Sequence, residues 1–317
     1  MRIVVVMDPP ETVLVDEDTT FALMLAAQAR GHRIDYCRIH DLVLEDGVLS
    51  AAVRQAFAER DPERPLRLAD EELLPLAEAD VVFMRKDPPF DEPYLFATLL
   101  LEQVRGETLL VNDPRALRDA NEKIYATYFP DLMPSTLIAS DKARIKAFLA
   151  RNGGRGVLKP LHGRGGEGVF ALQEGDPNLN GIIETLTAFG TRLAMAQRFL
   201  PEVQTGDKRI LLLDGEPLGA ILRVPQRGDL RSNIHVGGRV EAATLDDDDR
   251  RIIAAVAPRL RADGLAFVGL DVIGGKLTEV NVTSPTGIQQ MSRLDGVDYE
   301  GRVIAWLEER VAAGARA

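Results

Sequence analysis

An α/β fold that turns to α+β in its C-terminal part is what the sequence predicts, and three observations carry that expectation. Arg2–Met7, Thr19–Arg30 and Arg33–Ile39 read as strand, helix and strand, with the helix stopped at Gly31, and a β-α-β order argues for a parallel sheet. A glycine-rich loop at Gly163–Gly168 has a strand on either side. Gly264–Gly287 reads as an apolar strand, a Gly-Gly corner and a second strand. With 317 residues, the chain can form two or three subdomains around a large core.

Composition excludes several classes. The 45% hydrophobic and 27% charged residues are those of a soluble globular protein. Thirty-eight basic against forty-nine acidic residues give a net charge of −11, so no general attraction to nucleic acid or to an anionic membrane surface is expected. Local basic clusters can still hold a phosphorylated small molecule. Ile3–Met7 is too short an apolar run for a signal-peptide core or a membrane span, so the expected location is cytoplasmic. The single cysteine, Cys37, rules out an intrachain disulfide and any CxxC motif.

The first strand leads into Asp8-Pro9-Pro10 where a dinucleotide fold would carry GxGxxG, which disfavours a nicotinamide cofactor. Asp41–Leu49 reads as a small hairpin turning at Asp46-Gly47, and Asp61–Pro65 as a loop. Ala79–Met84 is a buried strand running into Arg85-Lys86-Asp87-Pro88-Pro89. Because ligands of open α/β sheets sit beyond the carboxyl ends of the strands, Arg85 and Lys86 are candidates to hold a carboxylate, Arg through two parallel hydrogen bonds. A salt-bridged loop stiffened by prolines is the plainer alternative. A helix from about Tyr94 to Val104 and a strand at Thr108–Asn112 continue the alternation. Asp113 then caps a helix with Pro114 at its first position, read here as continuing through Asn121, Glu122 and Lys123.

Strand Gly156–Pro160 holds Lys159, and four glycines follow within six residues, Gly163, Gly165, Gly166 and Gly168. Glycines let backbone N–H groups approach and cradle phosphate. With a strand rather than a helix following, the segment is neither a Walker A loop nor a Rossmann turn, and it fits a flexible flap over ATP phosphates. Simple turn chemistry is the alternative. In strand Ala194–Leu200, Gln197 and the backbone after it could meet an adenine edge. Arg209 and Arg223 emerge from neighbouring strands around a hairpin at Asp214-Gly215, able to neutralise charge during phosphoryl and acyl transfer or to serve as structural ion pairs. Between them and the last hairpin, Pro225–Arg239 has the length and polarity of a mobile cover. Asp246–Asp249 reads as the solvated first turn of a helix. The four histidines, His32, His40, His162 and His235, show no metal-ligand spacing.

In the last hairpin, Glu279 and Asn281 are two apart on a strand and share a face; with Asp271 they offer three hard oxygen ligands suited to Mg²⁺. A two-residue turn at Gly274-Gly275 would set Asp271 opposite Thr278, whereas a three-residue loop, Gly274–Lys276, sets it opposite Glu279. The longer loop is expected here, because facing carboxylates call for a cation between them. An ordinary hairpin with a wet polar face is the competing account.

MRKDPPFD at 84–91, NEK at 121–123, LKPLHGRGGEG at 158–168, GDKR at 206–209 and FVGLDVIGGKLTEVNVTSPTG at 267–287 together resemble the bacterial glutathione synthetases of the ATP-grasp superfamily. The likeness is collinear from MDPP near the N-terminus to about Gly287. It implies an ATP-grasp fold with an N-terminal parallel-sheet domain over 1–121, a lid over 122–200 and a catalytic domain over 201–317. By motif, Lys123 and Lys159 would contact ATP phosphates, Gly163, Gly165, Gly166 and Gly168 would close over them, and Gln197, Leu200 and Asp207 would surround adenine and ribose. Asp271, Glu279 and Asn281 would coordinate Mg²⁺ or Mn²⁺. Arg85, Arg209, Arg223, Ser284 and Thr286 would hold the peptide substrate and acyl intermediate, with Asn233, Gly237 and Gly238 in the cover; Arg209, Arg223 and Lys159 would be catalytic. The implied reaction joins γ-glutamylcysteine to glycine with ATP in a homotetramer. Rival readings are a ligase for a different amino-acid pair and a non-catalytic ATP-binding regulator, the latter disfavoured by the intact Asp271, Glu279, Asn281, Arg209 and Arg223.

Overall fold

Ile3 to Val6 present β-branched side chains on both faces and both faces are buried, as a strand inside a parallel sheet requires. The computed structural model describes residues 1–163, 165–226 and 238–314. The first sheet is built from β1 (Arg2–Val6), β2 (Arg33–Cys37), β3 (Leu42–Glu45), β4 (Val48–Ala58), β5 (Leu66–Pro75), β6 (Val81–Met84) and β7 (Leu109–Val111), in the order β3-β4-β2-β1-β6-β7 with β5 also on β4. β2, β1, β6 and β7 are parallel, and β3, β4 and β5 add antiparallel strands at one edge. The helix between β1 and β2, α1 (Thr19–Ala29), starts where Asp18 accepts a hydrogen bond from the Phe21 amide and ends before Gly31, whose φ is +79°. α2 (Glu92–Leu101) and α3 (Pro114–Asp119) follow β6 and β7.

The hairpin at Asp46-Gly47 is present, but β4 continues to Ala58 and pairs with β5, a strand the sequence reading did not identify. The helix capped by Asp113 also ends sooner than expected. Asn121 breaks it and caps a separate short helix, α4 (Glu122–Tyr125), through the Lys123 and Ile124 amides.

The second sheet is antiparallel, in the order β10-β9-β11-β8, from β8 (Thr136–Ala139), β9 (Arg155–Pro160), β10 (Phe170–Gln173) and β11 (Ala194–Arg198). Its own core is closed by Ile145, Phe148 and Leu149 of α5 (Lys142–Arg151) and by Leu179 and Ile183 of α6 (Leu179–Leu186). The third sheet, also antiparallel, runs β14-β13-β12-β15-β16, from β12 (Asp207–Leu213), β13 (Glu216–Val224), β14 (Arg239–Ala242), β15 (Phe267–Ile273) and β16 (Lys276–Asn281), with α7 (Asp247–Ala262) before β15. In the acidic run before α7, Asp246 and Asp249 form a reciprocal capping box, and Asp249 is buried on Lys208 rather than solvated. α8 (Ile288–Asp295) and α9 (Tyr299–Ala312) close the chain, α9 against α1. Among the described residues no helix is long and apolar enough to cross a membrane.

The first and third sheets share a core in which Val4, Val6 and Leu110 join Val268, Leu270 and Val280. Asn112 locks them together. Its Nδ2 donates to the carbonyls of Phe267 and Val282 at 2.8 Å each, and its Oδ1 accepts from the Phe267 amide at 2.7 Å. Cys37, at the end of β2, has no exposed surface, and burial pushes its thiol pKa up. At the surface, Arg30 and then His32 hold the Glu308 carboxyl down to about 2, with His32 Nε2 2.7 Å from Glu308 Oε1.

Two measurements test this packing. Asn112→Ala strips three buried hydrogen bonds and should lower unfolding stability by about 2–3 kcal/mol in urea denaturation. Glu308 has a folded pKa below its unfolded one, so its contribution is present above the unfolded value and lost as pH falls toward 2. Glu308→Gln should therefore melt below wild type at neutral pH, by a small margin that salt reduces, and match it near pH 2.

Candidate active site

A cleft of about 220 Å³ opens between the second and third sheets, with α4 and the 282–286 segment at its inner end. Val157, Phe199, Leu200, Val203 and Ile273 give it an apolar wall that suits a flat ring, and charged side chains fill the rest.

The charged floor comes from strand register. In the β15–β16 hairpin, Ile273 pairs with Lys276 and Val272 with Leu277, so the turn is the two-residue Gly274-Gly275, not the three-residue loop expected. Both glycines have positive φ, +55° and +68°, as that turn demands. Asp271 nonetheless faces Glu279, because a bulge at Thr278 shifts the register by one residue. Asn281 pairs with Gly269, one step of the same face further on, and its Nδ2 donates to the Gly269 carbonyl at 3.2 Å. The facing of the two carboxylates was anticipated; the device that achieves it was not.

Asp271 is also opposite Arg209 on β12, and Asp207 is opposite Arg223 on β13. Arg209 grips Asp271 with two parallel bonds, Nε to Oδ1 at 2.5 Å and Nη2 to Oδ2 at 3.0 Å. Arg223 Nη2 lies 3.0 Å from Asp271 Oδ2 and 2.6 Å from Asp207 Oδ2. Burial works against the Asp271 charge, but the two guanidiniums outweigh it and hold its carboxyl far below the usual range. The same pairing raises Arg223 against the cost of its own burial.

Glu279 continues the row to Lys123, whose Nζ is 3.0 Å from Glu279 Oε1 and 3.4 Å from the carbonyl of Gly163. Burial disfavours the Lys123 ammonium, yet Glu279 raises its pKa above the ordinary value. Lys159 reaches the Thr278 carbonyl at 3.4 Å, and burial lowers its pKa despite Glu279 nearby. In the flap, Gly163, Gly165, Gly166 and Gly168 all have positive φ, between +63° and +109°, where a side chain would be strained. The first three line the cleft, and Gly168 packs behind on Pro160. Gln197 lines it too, with Nε2 donating to Thr136 Oγ1 at 3.1 Å.

Ser284 and Thr286 lie in the cleft on the segment joining β16 to α8. Arg85 does not line it. Its guanidinium is buried behind that segment, donating to the Pro285 carbonyl at 2.9 Å and to Thr20 Oγ1 at 3.0 Å, and burial pushes its pKa down to about 10. Lys86, the other expected carboxylate holder, is taken by Asp8 at 2.9 Å, so the salt-bridged loop was the right reading for it. Gly238 does not line the cleft; Asn233 and Gly237, like Arg164, His235 and most of the expected cover, lie outside the described residues. Among the described residues, no group of three or more His, Cys, Asp or Glu converges as for a metal, the oxygen donors being two carboxylates and the Asn281 amide.

Glu122 lines the cleft without a role assigned to it in the sequence. Glu122, first in α4, uses Oε1 to accept from the amides of Val282 and Thr283 at 3.1 and 3.2 Å and from Thr283 Oγ1 at 2.8 Å. Burial, and then repulsion from Glu279, raises its pKa. Its partners are the Val282 and Thr283 amides and the Thr283 hydroxyl, 160 and 161 positions away, so only its place between the capping Asn121 and Lys123 could have pointed to it.

The chain matches known proteins along its length. Residues 1–118 match the N-terminal domain of prokaryotic glutathione synthetase, and residues 122–296 match its ATP-grasp domain. The glutathione synthetase of Vibrio cholerae serotype O1 is 45% identical over 317 residues, 99% of each chain. That of Gloeobacter violaceus is 48% identical over 317 residues, 98% of this chain and 97% of the other. Among solved structures, a D-cycloserine synthetase superposes with a TM-score of 0.67 at 18% identity, covering 98% of this chain and 99% of the other, a likeness of fold alone.

The Asp271 pairing has its own test. Asp271→Asn leaves two buried guanidiniums without their counter-charge and should lower stability by about 3 kcal/mol, measured by urea denaturation in chelator without nucleotide. A residue serving only as a metal ligand would show no loss under those conditions.

Proposed function

The chain belongs to the prokaryotic glutathione synthetase family and has the ATP-grasp fold, and from that premise we propose how its cleft joins γ-glutamylcysteine to glycine with ATP. The observation that carries the proposal is that Lys123, Lys159 and the glycine flap share one cleft with Arg209, Arg223 and the 284–286 segment. Phosphate-holding groups and carboxylate-holding groups thus meet at one place.

In this reading Lys123 and Lys159 neutralise the ATP phosphates and Gly163, Gly165, Gly166 and Gly168 close over them. The apolar wall at Leu200 with Gln197 takes the adenine, and Asp207 the ribose. Ser284 and Thr286 bind the peptide, Arg85 supports their loop from behind, and Asn233, Gly237 and Gly238 belong to the cover. Asp271, Glu279 and Asn281 fit a hard cation: their oxygen-bearing side chains sit on adjoining positions of one sheet face. Mg²⁺ or Mn²⁺ bound there would offset phosphate charge.

The cysteinyl carboxylate of the peptide attacks the γ-phosphorus, ADP leaves, and an acyl phosphate forms. The glycine amine then attacks the acyl carbon, loses a proton, and phosphate departs with the C–O bond electrons. Arg209 and Arg223, which line the cleft and are held by Asp271, would stabilise the oxyanion between these steps. Because acyl phosphates hydrolyse, the flap and cover have to exclude water. A cytoplasmic setting and a homotetramer belong to the same proposal, supported by the family resemblance.

Purified chain given ATP, Mg²⁺, γ-glutamylcysteine and glycine should release ADP and glutathione in equal amounts, with no phosphate when either acceptor or peptide is left out. EDTA should stop turnover and Mg²⁺ or Mn²⁺ restore it. Ligation of D-alanine with none of γ-glutamylcysteine and glycine would remove the assignment, and light scattering checks the tetramer.

A further inference from the structure

The tripeptide Asn121-Glu122-Lys123 sends its three side chains to three different parts of the protein. Asn121 Nδ2 donates to the carbonyl of Leu161, at the root of the glycine flap, at 2.9 Å. Lys123 reaches the flap itself at the Gly163 carbonyl and pairs with Glu279 on β16. Glu122 reaches the Val282 and Thr283 amides at the start of the segment that carries Ser284 and Thr286.

That segment has no regular hydrogen-bond ladder of its own, lying between β16 and α8. Its backbone is held by side chains instead. Asn112 takes the Val282 carbonyl at 2.8 Å, Arg85 the Pro285 carbonyl at 2.9 Å, Arg209 the Thr286 carbonyl at 3.3 Å, and Thr19 Oγ1 accepts from the Gly287 amide at 3.1 Å. Glu122 accepts the amides at its other end. Of these anchors, Glu122 is the one whose neighbours in sequence touch the flap. A shift of α4 when the flap and Lys123 engage phosphate must therefore move, or fix, the Val282 and Thr283 amides.

We propose that Glu122 is a positioning residue that couples nucleotide engagement at the flap and Lys123 to the shape of the peptide-holding segment 282–286. The coupling rests on the reading of the cleft given above and adds its route: nucleotide fixes the position of α4, and α4 through Glu122 presents Ser284 and Thr286 to the peptide. Reciprocity follows, since any effect of nucleotide on peptide affinity equals the effect of peptide on nucleotide affinity. The carboxylate acts here as a hydrogen-bond acceptor, so an amide oxygen can replace it in part.

The test compares wild type with Glu122→Gln and Glu122→Ala. Amide hydrogen exchange over residues 282–283, read with and without ADP and Mg²⁺, needs no peptide and so separates this proposal from the choice of substrate. ADP should slow exchange there in wild type and in Glu122→Gln, and should leave it unchanged in Glu122→Ala while the ADP dissociation constant stays within about twofold. In turnover, Glu122→Ala should raise KM for γ-glutamylcysteine roughly tenfold, from two amides left without an acceptor, and by the same reciprocity should raise KM for ATP at saturating peptide. Wild-type exchange that ignores ADP overturns the coupling. So does Glu122→Gln as impaired as Glu122→Ala, which would make Glu122 a charge or proton acceptor, or Glu122→Ala with wild-type KM for the peptide.

Discussion

A single carboxylate, Asp271, is the constraint on which the cleft depends. It is buried, it is gripped by Arg209 through two bonds and by Arg223 through a third, and it faces Glu279 across the hairpin. An isolated charge in that position would be strongly penalised, so its partners have to be where they are. The register of four strands follows from meeting that condition, with Arg223 on β13, Arg209 on β12, Asp271 on β15 and Glu279 on β16. Lys123 extends the alternation of sign onto α4. The result is a floor of fixed charges that needs little reorganisation when a phosphate or carboxylate arrives, which is how preorganised sites lower a barrier.

The three sheets divide the labour unevenly. The first and third share one core and are fastened by Asn112, so the 282–286 segment rests on a rigid base. The second sheet has a core of its own, built by α5 and α6, and carries Lys159 and the flap. A body with a separate core can tilt as a unit while its interior packing stays intact. α4 stands at the junction, and its three leading residues touch both sides.

Much of this was legible in the chain before any coordinates. Strand-helix alternation at the N-terminus and the flap between two strands rest on local patterns, which a sequence displays directly, whereas the gathering of Lys123, Lys159, Arg209, Arg223 and Asp271 was an expectation of the family resemblance. Features settled by distant partners were hidden. β5 carries Asp70, Glu71 and Glu72 and looks solvated, yet Arg54 pairs with Glu71 and both Arg2 and Arg33 pair with Glu72 across strands. The Thr278 bulge compensates a turn one residue shorter than expected, and no residue type announces it. Arg85 stood at the carboxyl end of a strand, as a ligand-binding residue would. Its burial behind Pro285 depends on α1 and the β16–α8 segment coming together from opposite ends of the chain.

Cys37 offers a last consequence. An enzyme that handles a free cysteinyl sulfur and releases a thiol product works in constant contact with species able to form mixed disulfides. Its own lone thiol is sealed at the end of β2 in the first sheet, and burial there keeps it in the protonated, unreactive state. The fold thereby denies its product any thiol to modify, so the catalyst stays inert toward the disulfide chemistry that its product exists to carry out.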